Sequence, residues 1–167
     1  SPFEDLKRTP MFGVVSVTPH EQLHGTITPA DLHFERHHAG IPTIDPARHE
    51  LLIHGFVERP LTFTVADLQR FPAVVRTCFI ECSGNYFPME GEHSTPRMVC
   101  GLTSQSEWTG VPLSTLLREA GLRRETGWVL AEGSDAAVMS RSIPLEKALD
   151  DALIVYAQNG EPIRPAQ

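Results

Sequence analysis

The sequence predicts a mixed α and β fold of the α+β class. Short apolar runs rich in β-branched and aromatic residues recur along the chain, helix start and stop signals fall between them, and 14 prolines and 12 glycines cut the 167 residues into short elements. With 41% hydrophobic and 21% charged residues, the composition is that of one ordinary globular domain, long enough to bury a core.

The elements follow in order. Residues 1–46 read as irregular, because Thr18-Pro19, Thr28-Pro29, Ile41-Pro42 and Asp45-Pro46 each disfavour helix at the residue before proline. This stretch is expected to wrap over a core built by later residues. Residues 51–57 read as a strand around His54-Gly55, and residues 74–82 as another. Between them Thr64, followed three residues later by Asp67, has the form of a capping box that opens a short helix ended by Pro72. Pro112 before and Gly121 after residues 113–120 give the proline-in, glycine-out signature of a helix. Residues 128–131 and 137–143 read as strands, and Pro144 opens a helix reaching about Asp151. Residues 153–157 form an apolar strand that meets the turn dipeptide Asn159-Gly160. Only Pro162, Pro165 and a few other residues follow, so that strand is expected to lack a partner and the domain to be truncated.

Charge and composition exclude some functions. A net charge of −7, from 14 basic against 21 acidic residues, does not suit a phosphate backbone. No stretch approaches the roughly 20 apolar residues of a membrane span, and residues 1–10 lack the apolar segment of a secretory signal. Cys78, Cys82 and Cys100 are an odd number, so one at least stands outside any intramolecular disulfide.

Two segments carry candidate chemistry. In Phe79-Ile80-Glu81-Cys82-Ser83-Gly84-Asn85 an apolar strand runs into a cysteine followed by small, turn-forming residues, which presents a thiol where a ligand can approach the backbone. A thiolate is a soft ligand for a thiophilic transition metal, but from the local sequence alone a small buried hydrophobe is the favoured reading of Cys82. Zinc held by Cys78, Cys82, His93 and Cys100 is disfavoured, since residues four apart on a strand lie about 13 Å apart. Cysteine-protease chemistry lacks a recognised nucleophile motif. The second segment, Leu32-His33-Phe34-Glu35-Arg36-His37-His38-Ala39-Gly40, reads either as an anion site, with Arg36 offering a planar fork to an oxyanion, or as a solvated histidine-rich loop.

Five motifs in succession resemble those of the sulfite-oxidase family: Phe34-Glu35-Arg36-His37-His38, Glu81-Cys82-Ser83-Gly84-Asn85, Ser106-Glu107-Trp108-Thr109-Gly110-Val111-Pro112-Leu113, Ser142-Ile143-Pro144-Leu145, and Tyr156-Ala157-Gln158-Asn159-Gly160-Glu161-Pro162. Residues 32–42 and the Cys82 motif are most similar to the bacterial sulfane dehydrogenase (sulfite dehydrogenase) branch. The resemblance implies a mixed-sheet molybdopterin-binding fold, with residues 1–167 the N-terminal part of one such domain, residues 1–23 an irregular lead-in, and an immunoglobulin-like dimerisation domain lying beyond. It implies a molybdenum-molybdopterin cofactor with Cys82 as the protein's ligand to the metal, Phe34, Arg36 and His38 around cofactor and substrate, Arg36 facing an oxyanion, and Asp135 near the pterin. The implied reaction is oxygen-atom transfer to sulfite or to carrier-bound sulfane sulfur, in the periplasm. Electrons would pass to a c-type cytochrome, and the full-length protein would be a homo-oligomer or a hetero-oligomer with the haem subunit. A methionine-sulfoxide-type molybdopterin reductase and a fragment that binds no cofactor are the rivals. Tyr86 and Phe87 stand where animal and plant sulfite oxidases carry paired arginines, so substrate contacts do not transfer from those enzymes.

Overall fold

The computed structural model describes residues 15–85 and 95–166; residues 1–10, Tyr86, Phe87 and His93 lie outside them. The chain divides into two compact units, one of residues 1–42, 76–108 and 158–167, the other of residues 43–75 and 109–157. The α+β class holds: ten short strands and four short helices alternate along the described residues.

In the first unit, β1 (Val15–Ser16) pairs antiparallel with β2 (Glu35–Arg36), Val15 opposite Arg36 and Ser16 opposite Glu35. The opening stretch is thus less irregular than expected, and it adds 3-10 turns at His20–Gln22 and Ala30–Leu32. It wraps as anticipated: Thr18 N–H donates to Gly101 O (2.8 Å) and Thr28 N–H to Gln105 O (2.7 Å). Strand β5 (Val74–Glu81) and strand β6 (Thr103–Pro112) each pass along the chain between the two units. They belong to a four-stranded sheet ordered β10-β9-β6-β5, where β9 is Leu153–Gln158 and β10 is Glu161–Pro162.

The apolar pattern did not reveal β6, because its inward side begins with serines. Ser104 and Ser106 are fully buried, and each hydroxyl has a partner: Ser104 Oγ lies 2.6 Å from Thr18 Oγ1 and accepts Phe34 N–H (2.9 Å), while Ser106 Oγ accepts Gln158 Nε2 (2.9 Å). A buried hydroxyl costs little once it is hydrogen-bonded. Trp108, next on that side, donates its indole N–H to Cys78 O (3.2 Å). A helix at Pro96–Cys100, here α2, also escaped the sequence reading.

The unpartnered edge expected at residues 153–157 is filled, since β9 lies between β6 and β10. The turn works as its dipeptide predicts. Asn159 and Gly160 both have positive φ (52° and 78°), as a type I′ hairpin turn requires, and Asn159 Oδ1 accepts Glu107 N–H (2.9 Å). Arg164 then pairs with Asp31 and Glu161.

The second unit holds the apolar core. β3 (Glu50–Ile53) pairs antiparallel with β4 (Leu61–Thr64), which places Leu51 opposite Phe63. The strand expected over residues 51–57 ends at Ile53, because Gly55 turns the chain with φ 100°, and Val57 makes only an isolated bridge to Leu122. The α3 helix (Leu113–Ala120) buries Leu113, Leu116, Leu117 and Ala120, an i, i+3, i+4, i+7 stripe, and Gly121 closes it with φ 76°. Leu116 packs with Phe63, Leu68 and Val111, while Leu113 and Leu117 pack with Ala148 of α4 (Leu145–Asp150). β7 (Trp128–Glu132) and β8 (Ser140–Pro144) form a hairpin; the second strand starts later than expected because residues 135–138 turn, with Val138 at φ 45°.

The predicted capping box is present at α1 (Val65–Leu68), which stops at Leu68 and gives way to turns before Pro72. Asp67 N–H donates to Thr64 Oγ1 (3.1 Å), while Thr64 Oγ1 and Thr64 N–H both donate to Asp67 Oδ2 (2.6 and 3.0 Å). The side-chain bond from Thr64, then the backbone bond, hold the Asp67 carboxyl below its ordinary pKa, with Arg70 adding a smaller charge effect. A folded pKa below the unfolded one gives stability that is present above the unfolded value near 3.8 and is lost as pH falls through the folded value. Asp67→Asn should therefore lower the urea midpoint at pH 7, and the gap from the unsubstituted chain should narrow at pH 3. A gap independent of pH would contradict this assignment.

Candidate functional site

Strand β5 ends at Glu81, one residue earlier than the sequence suggested, so Cys82 is the first residue of a turn. Cys82 N–H still donates to Leu102 O (2.9 Å), and Asn85 N–H donates back to Cys82 O (3.0 Å), closing a β-turn over Cys82, Ser83, Gly84 and Asn85. Within it, Gly84 N–H points at the cysteine Sγ, 3.4 Å away. Asn85 is buried and fully used: its Nδ2 donates to Glu81 Oε1 (2.9 Å) and Thr103 Oγ1 (2.8 Å), and its Oδ1 accepts Leu102 N–H (2.9 Å). A β-carbon at position 84 would sit 3.5 Å from Sγ and from Leu102 Cδ1, an ordinary contact within the protein.

All three cysteines are free thiols, Cys78 exposed and Cys82 and Cys100 half-buried. Among the described residues no group of three or more His, Cys, Asp or Glu side chains is placed to hold a metal ion, and His93, one member of the zinc set, lies outside them. A half-buried, unbridged thiol at a strand end, on a turn pinned from both sides, meets the chemical needs of a soft metal ligand.

The His33–His38 segment separates into inner and outer groups. His33 is buried, stacked on Phe34 at 5.0 Å and edge-on to Trp108 at 5.8 Å, with Nδ1 2.9 Å from Phe34 O. It belongs to the interior rather than to a solvated loop. Glu35 Oε2 accepts Ser16 Oγ–H (3.2 Å) and lies 3.7 Å from His37 Nε2. Strand alternation turns Arg36 to the side opposite Glu35. Arg36 is half-buried, Phe34 buried and His38 exposed.

Four of the five anticipated residues, Phe34, Arg36, His38 and Cys82, fall in the first unit. The backbones of Phe34 and Cys82 are both tied to the start of β6, through Ser104 Oγ and Leu102 O. Those anchors are two residues apart, about 7 Å along an extended chain. Asp135 lies in the second unit, half-buried in the turn between β7 and β8, where its carbonyl accepts Val138 N–H (3.1 Å). Within the first unit Phe34 and Cys82 thus share an anchorage at residues 102–104, whereas Asp135 belongs to the second unit. Sequence reasoning noted Asn85 only as a polar neighbour and missed Thr103 and Ser104; the alternating small polar residues before Trp108 were the available signal.

Residues 38–167 match the oxidoreductase molybdopterin binding domain family, a stretch that includes His38, Cys82 and Asp135 but begins after Phe34 and Arg36. The solved structure of the sulfane dehydrogenase SoxCD from Paracoccus pantotrophus superposes with a TM-score of 0.87 and 41% identity, over 98% of this chain and 42% of that one. An NADH nitrate reductase from Ulva prolifera is 31% identical over 90% of this chain and 20% of its own length. Mitochondrial sulfite oxidase from Drosophila melanogaster is 34% identical over 81% of this chain and 26% of its own. The chain therefore spans about a fifth to a quarter of these curated relatives.

Proposed function

Given that the chain belongs to the oxidoreductase molybdopterin binding domain family, the sulfite-oxidase group, we propose that its full-length protein oxidises a reduced sulfur anion, sulfite or carrier-bound sulfane sulfur. The carrying observation is the 41% identity to a sulfane dehydrogenase over 98% of the chain, against 31% to the algal nitrate reductase. In this reading residues 1–167 are the N-terminal part of one molybdopterin-binding domain.

The protein's part is to bind and orient. Cys82 supplies the thiolate to the metal; its free, half-buried sulfur and pinned turn support the assignment. Bound there, molybdenum held by molybdopterin would supply the two-electron redox chemistry and the transferable oxygen. Arg36 holds the substrate's oxygens through its planar fork, which lowers the entropic cost of orienting the sulfur. Phe34, His38 and Asp135 contact the cofactor. Electrons leave to a c-type cytochrome partner, the assembly is a homo-oligomer or a hetero-oligomer with that haem subunit, and the compartment is the periplasm. No helix among the described residues is long and apolar enough to cross a membrane.

The test is steady-state turnover of the purified full-length protein. Sulfite or carrier-bound sulfane sulfur should reduce cytochrome c, whereas nitrate and methionine sulfoxide, offered with a reduced dye, should not be turned over. Turnover of nitrate or sulfoxide alone would reverse the assignment, and so would protein without molybdenum.

A further inference from the structure

We propose that Asn85 is the positioning residue for the Cys82 thiolate: it holds the Gly84 N–H against Sγ and thereby moderates the sulfur's electron donation to the metal. The proposal deepens the reading of Cys82 as a metal ligand and rests on it.

Cys82 lies just beyond β5, where one cross-strand bond, its N–H to Leu102 O, anchors the cysteine backbone but not the turn that follows. Here the fixing comes from one side chain. The Asn85 amide donates to Glu81 on β5 and to Thr103 on β6, and accepts from Leu102 N–H, so it bridges both strands that flank the turn. Its own N–H closes the turn on Cys82 O. Only an amide of this length can donate twice and accept once at this point. Aspartate would lose both donors and set a carboxylate against Glu81; glutamine would overshoot by a methylene. With the residues on both sides of Gly84 fixed, its N–H stays 3.4 Å from Sγ. A fixed N–H dipole aimed at a thiolate withdraws electron density from it, and such outer contacts tune a metal's potential as well as its affinity.

A purely structural asparagine would affect stability alone, which makes the two roles separable. The variants are Asn85→Ala and Thr103→Val; the second removes one acceptor of the Asn85 amide, keeps a β-branched side chain in β6 and leaves the turn's sequence unchanged. In the molybdenum-loaded full-length protein, the metal's midpoint potential, followed by its EPR signal, should shift to lower values in both variants, more in Asn85→Ala. In the metal-free protein carrying Cys78→Ser and Cys100→Ser, assayed at a pH high enough to ionise the thiol fully, iodoacetamide should alkylate Cys82 faster after Asn85→Ala, because the thiolate has lost the N–H that withdraws its electron density. An unchanged potential and an unchanged alkylation rate in both variants would overturn the positioning role. Unsubstituted protein that takes up no molybdenum would instead overturn the ligand assignment of Cys82, and the alkylation rates would then decide the positioning role by themselves.

Discussion

Cys82→Ser should leave the protein folded and nearly inactive. The substitution exchanges one atom at a half-buried position whose sulfur, among the described residues, accepts a weak N–H contact from Gly84. The turn's backbone bonds, and the Asn85 bonds to Glu81, Leu102 and Thr103, do not involve Sγ. A change of thermal midpoint within a few degrees is therefore expected, equivalent to about 1 kcal/mol or less. The chemistry fares differently. A serine hydroxyl stays protonated at neutral pH and is a hard, weak donor, so a soft metal loses its anionic protein ligand. Loss of outer-shell contacts alone typically costs 10–100-fold, and loss of the ligand itself should cost at least about 100-fold in kcat. Molybdenum per chain, kcat and the thermal midpoint, measured on the same preparation, check this. Cys78→Ser, at an exposed position, should retain ordinary turnover. If Cys82→Ser keeps kcat within a few-fold of the unsubstituted enzyme, residue 82 is not the ligand.

What the sequence disclosed depended on whether the cause was local. The Thr64/Asp67 box, the Pro112 and Gly121 that bracket α3 and the Asn159-Gly160 turn each act on residues within a turn or two of themselves, and each was legible. Strand β6 was not, because Ser104 and Ser106 are buried only by virtue of partners far along the chain, Thr18, Phe34 and Gln158. Strand β2 was hidden for a related reason: two residues become a strand only through Val15 and Ser16. His33 looked like part of a charged cluster and turned out to be an aromatic neighbour of Phe34 and Trp108, a role that depends on tertiary packing.

The site shows the same division. That Cys82 sits at the end of a strand followed by a tight turn was readable from small residues alone. Whether its thiol was a ligand or a packed hydrophobe was not, since both environments accept the same local sequence. The proposal that it is a ligand rests on the succession of motifs, and the family match to residues 38–167 spans Cys82 but begins after Phe34 and Arg36. Those two residues rest on their own motif and on the shared anchorage of Phe34 and Cys82 at residues 102–104.

The largest structural effect is expected from Gly110→Ala. Gly110 lies in β6 beside β9, and its own motif, Trp108-Thr109-Gly110-Val111, does not say why a glycine is needed there. The backbone does. A β-carbon at this position would stand 2.3 Å from Ile154 O, 2.8 Å from Ile154 C and 2.7 Å from Val155 Cα. None of these atoms is the end of a flexible side chain, so relief requires the two strands to separate. Separation would disturb Val111 and Ile154, which share a core cluster with Phe63 and Leu116. Overpacking a core typically costs 1–3 kcal/mol, and a clash against fixed backbone should exceed that, roughly 3–5 kcal/mol. Against a total stability of about 5–15 kcal/mol, such a loss leaves little folded protein near body temperature. Gly127→Ala is the matched control, since a β-carbon there meets nothing within 4 Å and its φ lies outside the left-handed range. Urea midpoints of the two variants should differ widely, with Gly127→Ala close to the unsubstituted chain. Equal midpoints would mean that β6 and β9 do not approach as closely at Gly110 as the structure has them.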